Sequence, residues 1–154
     1  MYAVRLWSVR QARLLESAYA GIERALKRLH PLLDQIGSAR LEKPVAAVER
    51  MAKGFLFDCQ MCGQCALSST GMSCPMNCPK SLRNGPCGGV RPGGFCEVTP
   101  AMRCVWDQAY AGSQRMRRGA TIGQPLKPID NRLWGRSSWL AVARGEHQRM
   151  DPAP

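Results

Sequence analysis

Histidine is nearly missing from this chain: there are two among 154 residues, His30 and His147. Both lie outside the segment that holds the cysteines, which argues against a zinc finger of mixed cysteine and histidine ligands. Each reads as an ordinary helix or surface side chain. Acidic residues are sparse too, 11 against 22 lysines and arginines, and they form no paired-carboxylate signature. No Ser/His/Asp arrangement and no P-loop occurs, so the chain alone does not look like a catalyst. No apolar run reaches the roughly 18 residues of a membrane-crossing helix, so no membrane is expected among its partners. The start, Met1-Tyr2-Ala3-Val4-Arg5-Leu6-Trp7, lacks the basic opening and continuous apolar stretch of a secretory signal, and a cytoplasmic location is expected. We find no internal repeat.

What the chain does have is cysteine. All eight fall between Cys59 and Cys104, and the set opens with Cys59-Gln60-Met61-Cys62-Gly63-Gln64-Cys65. In a reducing compartment cysteines more often bind metal or react than form structural disulfides. Three at C-x2-C-x2-C spacing suit one tight turn wrapped around a [4Fe-4S] cube, with a remote cysteine as the fourth corner. Ferredoxins commonly follow that remote cysteine with proline, and both Cys74-Pro75 and Cys78-Pro79 have this form. The candidate ligands are Cys59, Cys62, Cys65, Cys74, Cys78, Cys87, Cys96 and Cys104. Eight thiolates match two cubes, one cube plus one zinc, or two zincs; a second C-x2-C knuckle, normal in a zinc ribbon, is absent. A thiol-redox pair at Cys59 and Cys62 is the weaker alternative, because six further cysteines stand nearby.

The formal charge is +11. Two four-thiolate centres at about −2 each would lower it to about +7, and zinc carries the same charge with four thiolates, so charge does not separate the metals. A basic surface suits nucleic acid, an acidic protein or an anionic small molecule, or is simply a solvated face.

Three zones are expected: residues 1–54 as a helical N-terminal docking region, 55–104 as a cysteine-rich metal-cluster module, and 105–154 as a helical and extended tail. The fold class is mainly α with a loop-rich, cysteine-ligated core. Leu15, Tyr19, Ile22, Leu26, Leu29, Leu33 and Ile36 step by four and three and predict a helical stripe packed on the protein's own core, with a subunit seam as the alternative. Ser8 reads as an N-cap, and Pro31 predicts a break or kink near His30. A second helix is expected from Pro44 to about Lys53, with Val45, Val48 and Met51 or Ala52 inward. Glycines and prolines interrupt the middle zone, which buries little apolar surface and so needs metal for stability. Its glycines, in Asn84-Gly85-Pro86-Cys87-Gly88-Gly89 and Pro92-Gly93-Gly94-Phe95-Cys96, would let backbone N–H groups approach sulfur. They are not a nucleotide fingerprint, for no G-x-G-x-x-G order occurs. Lys80, Arg83, Arg91 and Arg103 would offset a negative centre or form a docking face, and Phe55, Phe57, Phe95 and Trp106 would shield it. Beyond Cys104 a helix over 105–118, an extended stretch with Pro125 and Pro128, a weak helix over 131–143 and a frayed end at 151–154 are expected.

The strings Phe57-Asp58-Cys59-Gln60-Met61-Cys62-Gly63-Gln64-Cys65, Thr70-Gly71-Met72-Ser73-Cys74-Pro75-Met76-Asn77-Cys78-Pro79-Lys80, Arg83-Asn84-Gly85-Pro86-Cys87-Gly88-Gly89-Val90 and Cys96-Glu97-Val98 are distinctive. They resemble the methylenetetrahydrofolate reductase C-terminal domain family, known also as a separate cysteine-rich small subunit of the MetV type. The likeness extends to Val4-Arg5-Leu6-Trp7-Ser8-Val9, Glu16 and Tyr19 on one side and to Ser138-Trp139-Leu140 on the other. The resemblance implies an accessory, non-catalytic subunit beside a flavin-dependent methylenetetrahydrofolate reductase barrel chain, in one-carbon metabolism. It further implies iron–sulfur, with zinc as an alternative for one centre, and electron transfer from a donor such as a ferredoxin to a flavin held only by the partner. A barrel needs about 250 residues, so flavin and folate sites belong to another chain. The rival readings are a zinc-stapled structural subunit of the same complex and a basic zinc module for nucleic acid. The cysteine zone lacks interleaved aromatic and basic residues, so no nucleic acid is expected.

Overall fold

The computed structural model describes residues 2–145, and five α-helices frame a long irregular middle. They are α1 (Tyr2–Arg10), α2 (Ala12–Ile36), α3 (Ser38–Phe57), α4 (Val105–Ser113) and α5 (Ser138–Ala143). Single-turn 3-10 segments occupy Pro75–Asn77, Gly119–Gly123 and Asn131–Leu133. Among the described residues there is no strand; isolated bridges join Phe95 with Arg91 and with Arg103. The mainly helical expectation holds.

Helices α2 and α3 are joined by the single residue Gly37, whose φ of 94° reverses the chain where a side chain would be strained. Helix α1 packs on α3 and α4, and α5 packs on α2 and α3. The N-terminal helices and the C-terminal segment thus close around the cysteine loops. The core joins Ala12 from α2, Phe57 from α3, Leu67 and Met72 from the loops, and Met116 after α4. Tyr19 meets Phe57 edge-to-face, ring centres 6.2 Å apart, a favoured aromatic arrangement. Burying Phe57 contributes about 1.5–3 kcal/mol by area. Cys65 and Cys74 flank this same cluster. A second, smaller cluster of Cys104, Trp106 and Ala109 sits under Ile122.

Several expectations are corrected. Helix α2 runs through Pro31 without a break: proline removes one backbone donor, and the rest of the ladder carries the helix across. Ser8 is no cap; it lies inside α1, fully buried, and donates to the Leu56 carbonyl at 2.8 Å. Helix α3 starts at Ser38 and contains Pro44. Its inward face is also not the one expected. Ala46, Glu49 and Lys53 are buried, whereas Val48 and Met51 are exposed, Met51 at 69 %. A buried ion pair inverts the helix, as described below. The α2 stripe packs at Leu15 and Tyr19 but leaves Leu29 exposed, because α2 is longer than the core beneath it. The helix after Cys104 stops at Ser113, short of Arg118. The segment 131–143 is a 3-10 turn and a short α5 separated by Gly135, φ 82°. The extended stretch with Pro125 and Pro128 is present. His147 and the end at 151–154 lie outside the described residues.

Candidate metal centre

The cysteines are delivered by a chain that keeps turning left-handed. Helix α3 ends on Asp58 at φ 54°, whose N–H reaches back to the Gly54 carbonyl at 3.0 Å, a common way to leave a helix. Met61 (φ 51°) and Gly63 (φ 73°) then curl the C-x2-C-x2-C segment. At Gly63 a Cβ would run into the carbonyl oxygen of Leu133, so only glycine fits. The Gln64 amide pins this loop from the side: it donates to the Asp130 carbonyl at 3.1 Å and accepts the Asp130 N–H at 3.1 Å. The Gly135 N–H donates to the Met61 carbonyl at 2.7 Å. Downstream, Gly71 lies against the backbone of α4, and Ser73 donates to the Val105 carbonyl at 3.0 Å. The Asn77 amide donates to the Phe57 carbonyl at 2.8 Å. These ties bring Cys74 back to the end of α3.

As a result Cys59, Cys62, Cys65 and Cys74 border one cavity, together with Glu49, Met76, Arg83, Arg136 and Ser138. The Met61 N–H points at the Cys59 sulfur, 3.4 Å away. Burial first, then the neighbouring Cys65 and Cys62, push the Cys59 thiol up to about 11. Burial, then Cys59, Cys65 and Cys62, push Cys74 higher still. Cys59 and Cys74 so placed resist ionising by themselves, and a cation among the four sulfurs would remove the obstacle. The donor set therefore fits a metal centre.

The other four cysteines make a second setting. Cys78, Cys87, Cys96 and Cys104 border another cavity with Pro79, Pro86, Val98, Val105 and Trp106. The Cys96 N–H donates to Met102 and the Cys104 N–H to Gly94, each at 2.8 Å. The Trp106 indole donates to the Leu82 carbonyl at 2.9 Å. Cys104 is buried at the head of α4, but Cys87 is exposed. Its thiol donates to the Glu97 carboxylate at 3.3 Å, and Lys80 pairs with the same carboxylate. Among the described residues no three Cys, His, Asp or Glu side chains converge tightly enough to hold a single metal ion. The two quartets surround cavities rather than points.

Sequence reasoning missed the polar support under the first quartet. Lys53 and Glu49, one helical turn apart on α3, form an ion pair at 2.5 Å and both are buried. The Glu49 carboxylate also accepts both Ser137 and Ser138 hydroxyls and the Trp139 N–H. Burial alone would raise its carboxyl; the Lys53 charge and these hydrogen bonds outweigh that and hold it below the ordinary value. Burial would likewise lower Lys53, but Cys65 and Glu49 hold it up. The Lys53 ammonium lies 5.5 Å from the Tyr19 ring centre and 5.3 Å from that of Trp139. The signal that could have found the pair was a Glu–Lys spacing of four in a helix where apolar residues share its other face. Glu16, also buried, accepts the N–H groups of Arg117 and Arg118 at 2.7 and 3.0 Å. Of the expected shielding aromatics, Phe57 and Trp106 are buried, but Phe55 is exposed at 60 % and shields nothing here.

Fold and site together define a small helical module built around two cysteine quartets. The chain belongs to the family described as methylene-tetrahydrofolate reductase C terminal, whose model matches residues 38–132 and so includes all eight cysteines. No curated protein and no solved structure matches the chain significantly. Helices α1, α2 and α5 lie outside the matched span, yet pack onto it. No described helix is long and apolar enough to cross a membrane.

Proposed function

We propose that this chain is the metal-cluster subunit of a flavin-dependent methylenetetrahydrofolate reductase. The observation that carries the reading is the division of eight cysteines into two four-cysteine cavities inside the family-matched segment. Cys59, Cys62, Cys65 and Cys74 would hold one centre; Cys78, Cys87, Cys96 and Cys104 would hold the other. The C-x2-C-x2-C spacing favours a cube over zinc at the first. A bound cube supplies a one-electron acceptor and donor. The chain's own residues keep water from the first centre and carry part of its charge.

The outer face of α3 is the docking surface in this reading. Pro44, Val48, Met51 and Phe55 recur at helical spacing and are all exposed, flanked by Lys43 and Arg50. An apolar stripe opposite a buried ion pair is the reverse of an ordinary surface helix. It suits an apolar patch with an acidic rim on the flavoprotein. The double variant Met51→Glu, Phe55→Glu is expected to fold and to lose at least tenfold in affinity for that flavoprotein; unchanged affinity removes the docking assignment.

The first test of the function is oxygen-free purification with the copurifying flavoprotein, followed by iron, sulfide and zinc analysis. About eight irons and eight sulfides per chain are expected for two cubes, and about four of each with one zinc for a redox centre plus a staple. Zinc without iron sinks the electron-transfer reading and leaves a structural subunit.

A further inference from the structure

Arg83 lies on the loop between Cys78 and Cys87, yet borders the first cavity, and is 9 % exposed. Its guanidinium has, among the described residues, only neutral partners: Nε donates to the Lys127 carbonyl at 3.2 Å, Nη2 to the Gln64 carbonyl at 3.0 Å, and Nη1 approaches the Met76 sulfur at 3.9 Å. Among the described residues, the carboxylates in ion pairs are matched to other cations. Glu49 pairs with Lys53, Asp58 with Arg5, Glu97 with Lys80, Asp130 with Arg132, Glu23 with Lys27 and Glu16 with Arg118. Glu42 pairs with Arg136, a half-exposed cation on the same cavity. Guanidinium does not lose its proton in proteins, so Arg83 cannot escape burial by becoming neutral. A buried charge without a counter-charge is strongly unfavourable. The place where its counter-charge can sit is the cavity it borders with Cys59, Cys62, Cys65 and Cys74.

We infer that Arg83 is the buried counter-charge of the first centre and raises its reduction potential. The inference rests on the functional reading above. Four thiolates around an oxidised cube leave about −2, and reduction adds one further electron to the same small volume. A fixed positive charge at the cavity wall favours the reduced form more than the oxidised one. Lys53 also stands near these sulfurs, but Glu49 already balances it. Among the described residues that line the second cavity, the one cation is Lys80, which is solvent-exposed and paired with Glu97. Arg83 is therefore a positioning and tuning residue of one centre alone.

A purely structural role is the competing account, because the same guanidinium ties the Gln64 loop to Lys127. Arg83→Gln keeps hydrogen-bonding capacity without charge, and Arg83→Lys keeps charge without the planar fork. Both are made in the full chain with its flavoprotein, purified without oxygen, and titrated electrochemically while the reduced-cluster spin signals are recorded. With Arg83→Gln, one of the two signals is expected to move to lower potential by at least a tenfold change in the reduced-to-oxidised ratio, which is 59 mV for one electron. The other signal stays in place, and Arg83→Lys stays within threefold of the unaltered chain. Three results overturn the inference: an unmoved Arg83→Gln midpoint, an Arg83→Lys chain displaced as far as Arg83→Gln, or iron lost from both variants. An unaltered chain without iron sinks the functional reading first, and this inference with it. Iron present with no shift sinks this inference alone.

Discussion

The two cysteine quartets have the same number of sulfurs and different surroundings. The first is framed by α3, the loops around Gly63 and Gly71, and the strap 126–138, and its Cys65 and Cys74 border the main core. The second is held by its own turns, with one wall on α4 and Cys87 open to solvent. The first is thus part of the fold, whereas the second is an appendage to it. Metal in the first cavity would be coupled to global stability, and metal in the second mainly to local order.

The largest expected effect separates them at the ligands. Cys74→Ser is expected to lose one centre and, with it, cooperative thermal unfolding of the whole chain. Cys87→Ser should lose one centre while the helical transition persists. Circular dichroism melts beside metal analysis decide this, and equal damage from both would erase the distinction.

Next comes the ion pair beneath the first quartet. Lys53→Met leaves Glu49 buried without its cation and is expected to cost about 3–5 kcal/mol in denaturant unfolding. Replacing both partners with apolar residues should recover most of that loss. Lys80→Met, at the exposed pair beside the second quartet, should leave the denaturation midpoint where it was. If the Lys53 change were as mild, the inverted face of α3 would have no energetic basis.

The smallest contrast is between two glycines of equal φ. Gly63 and Gly88 both have φ 73°, so alanine at either meets a left-handed penalty of about 1–2 kcal/mol. At Gly63 the added carbon also strikes the Leu133 carbonyl, while at Gly88 nothing lies within 4 Å. Gly63→Ala should therefore destabilise more than Gly88→Ala by equilibrium unfolding, and equal costs would show that the strap yields freely.

How much of this was legible beforehand follows from the physics of each feature. Helix content, the irregular cysteine zone and the clustering of the eight candidate cysteines could be read because periodicity, proline, glycine and spacing act locally. The inward face of α3 could not, because binary patterning assumes that charge faces water; a carboxylate held by two hydroxyls, a backbone N–H and an ammonium breaks that assumption. Helix ends were misplaced where tertiary contact overrode a local signal. Pro31 and Pro44 lie inside helices, and Ser8, read as a cap, is instead a buried donor to α3.

The sequence by itself determined the chemistry: which atoms are soft donors, that they come in a triple followed by remote singles, and that the surface is basic. These are properties of residue identity and short spacing. Only the tertiary structure decided the grouping, because Cys74 and Cys78 both follow the opening triple at loop distance and both precede proline. The 3-10 turn at Pro75–Asn77, tied by Asn77 to the end of α3, leaves Cys74 on the first cavity and turns Cys78 to the second. The burial of Arg83 and Lys53 was decided in the same way, by long-range packing that brings residues 127 and 138 over the cysteine loops.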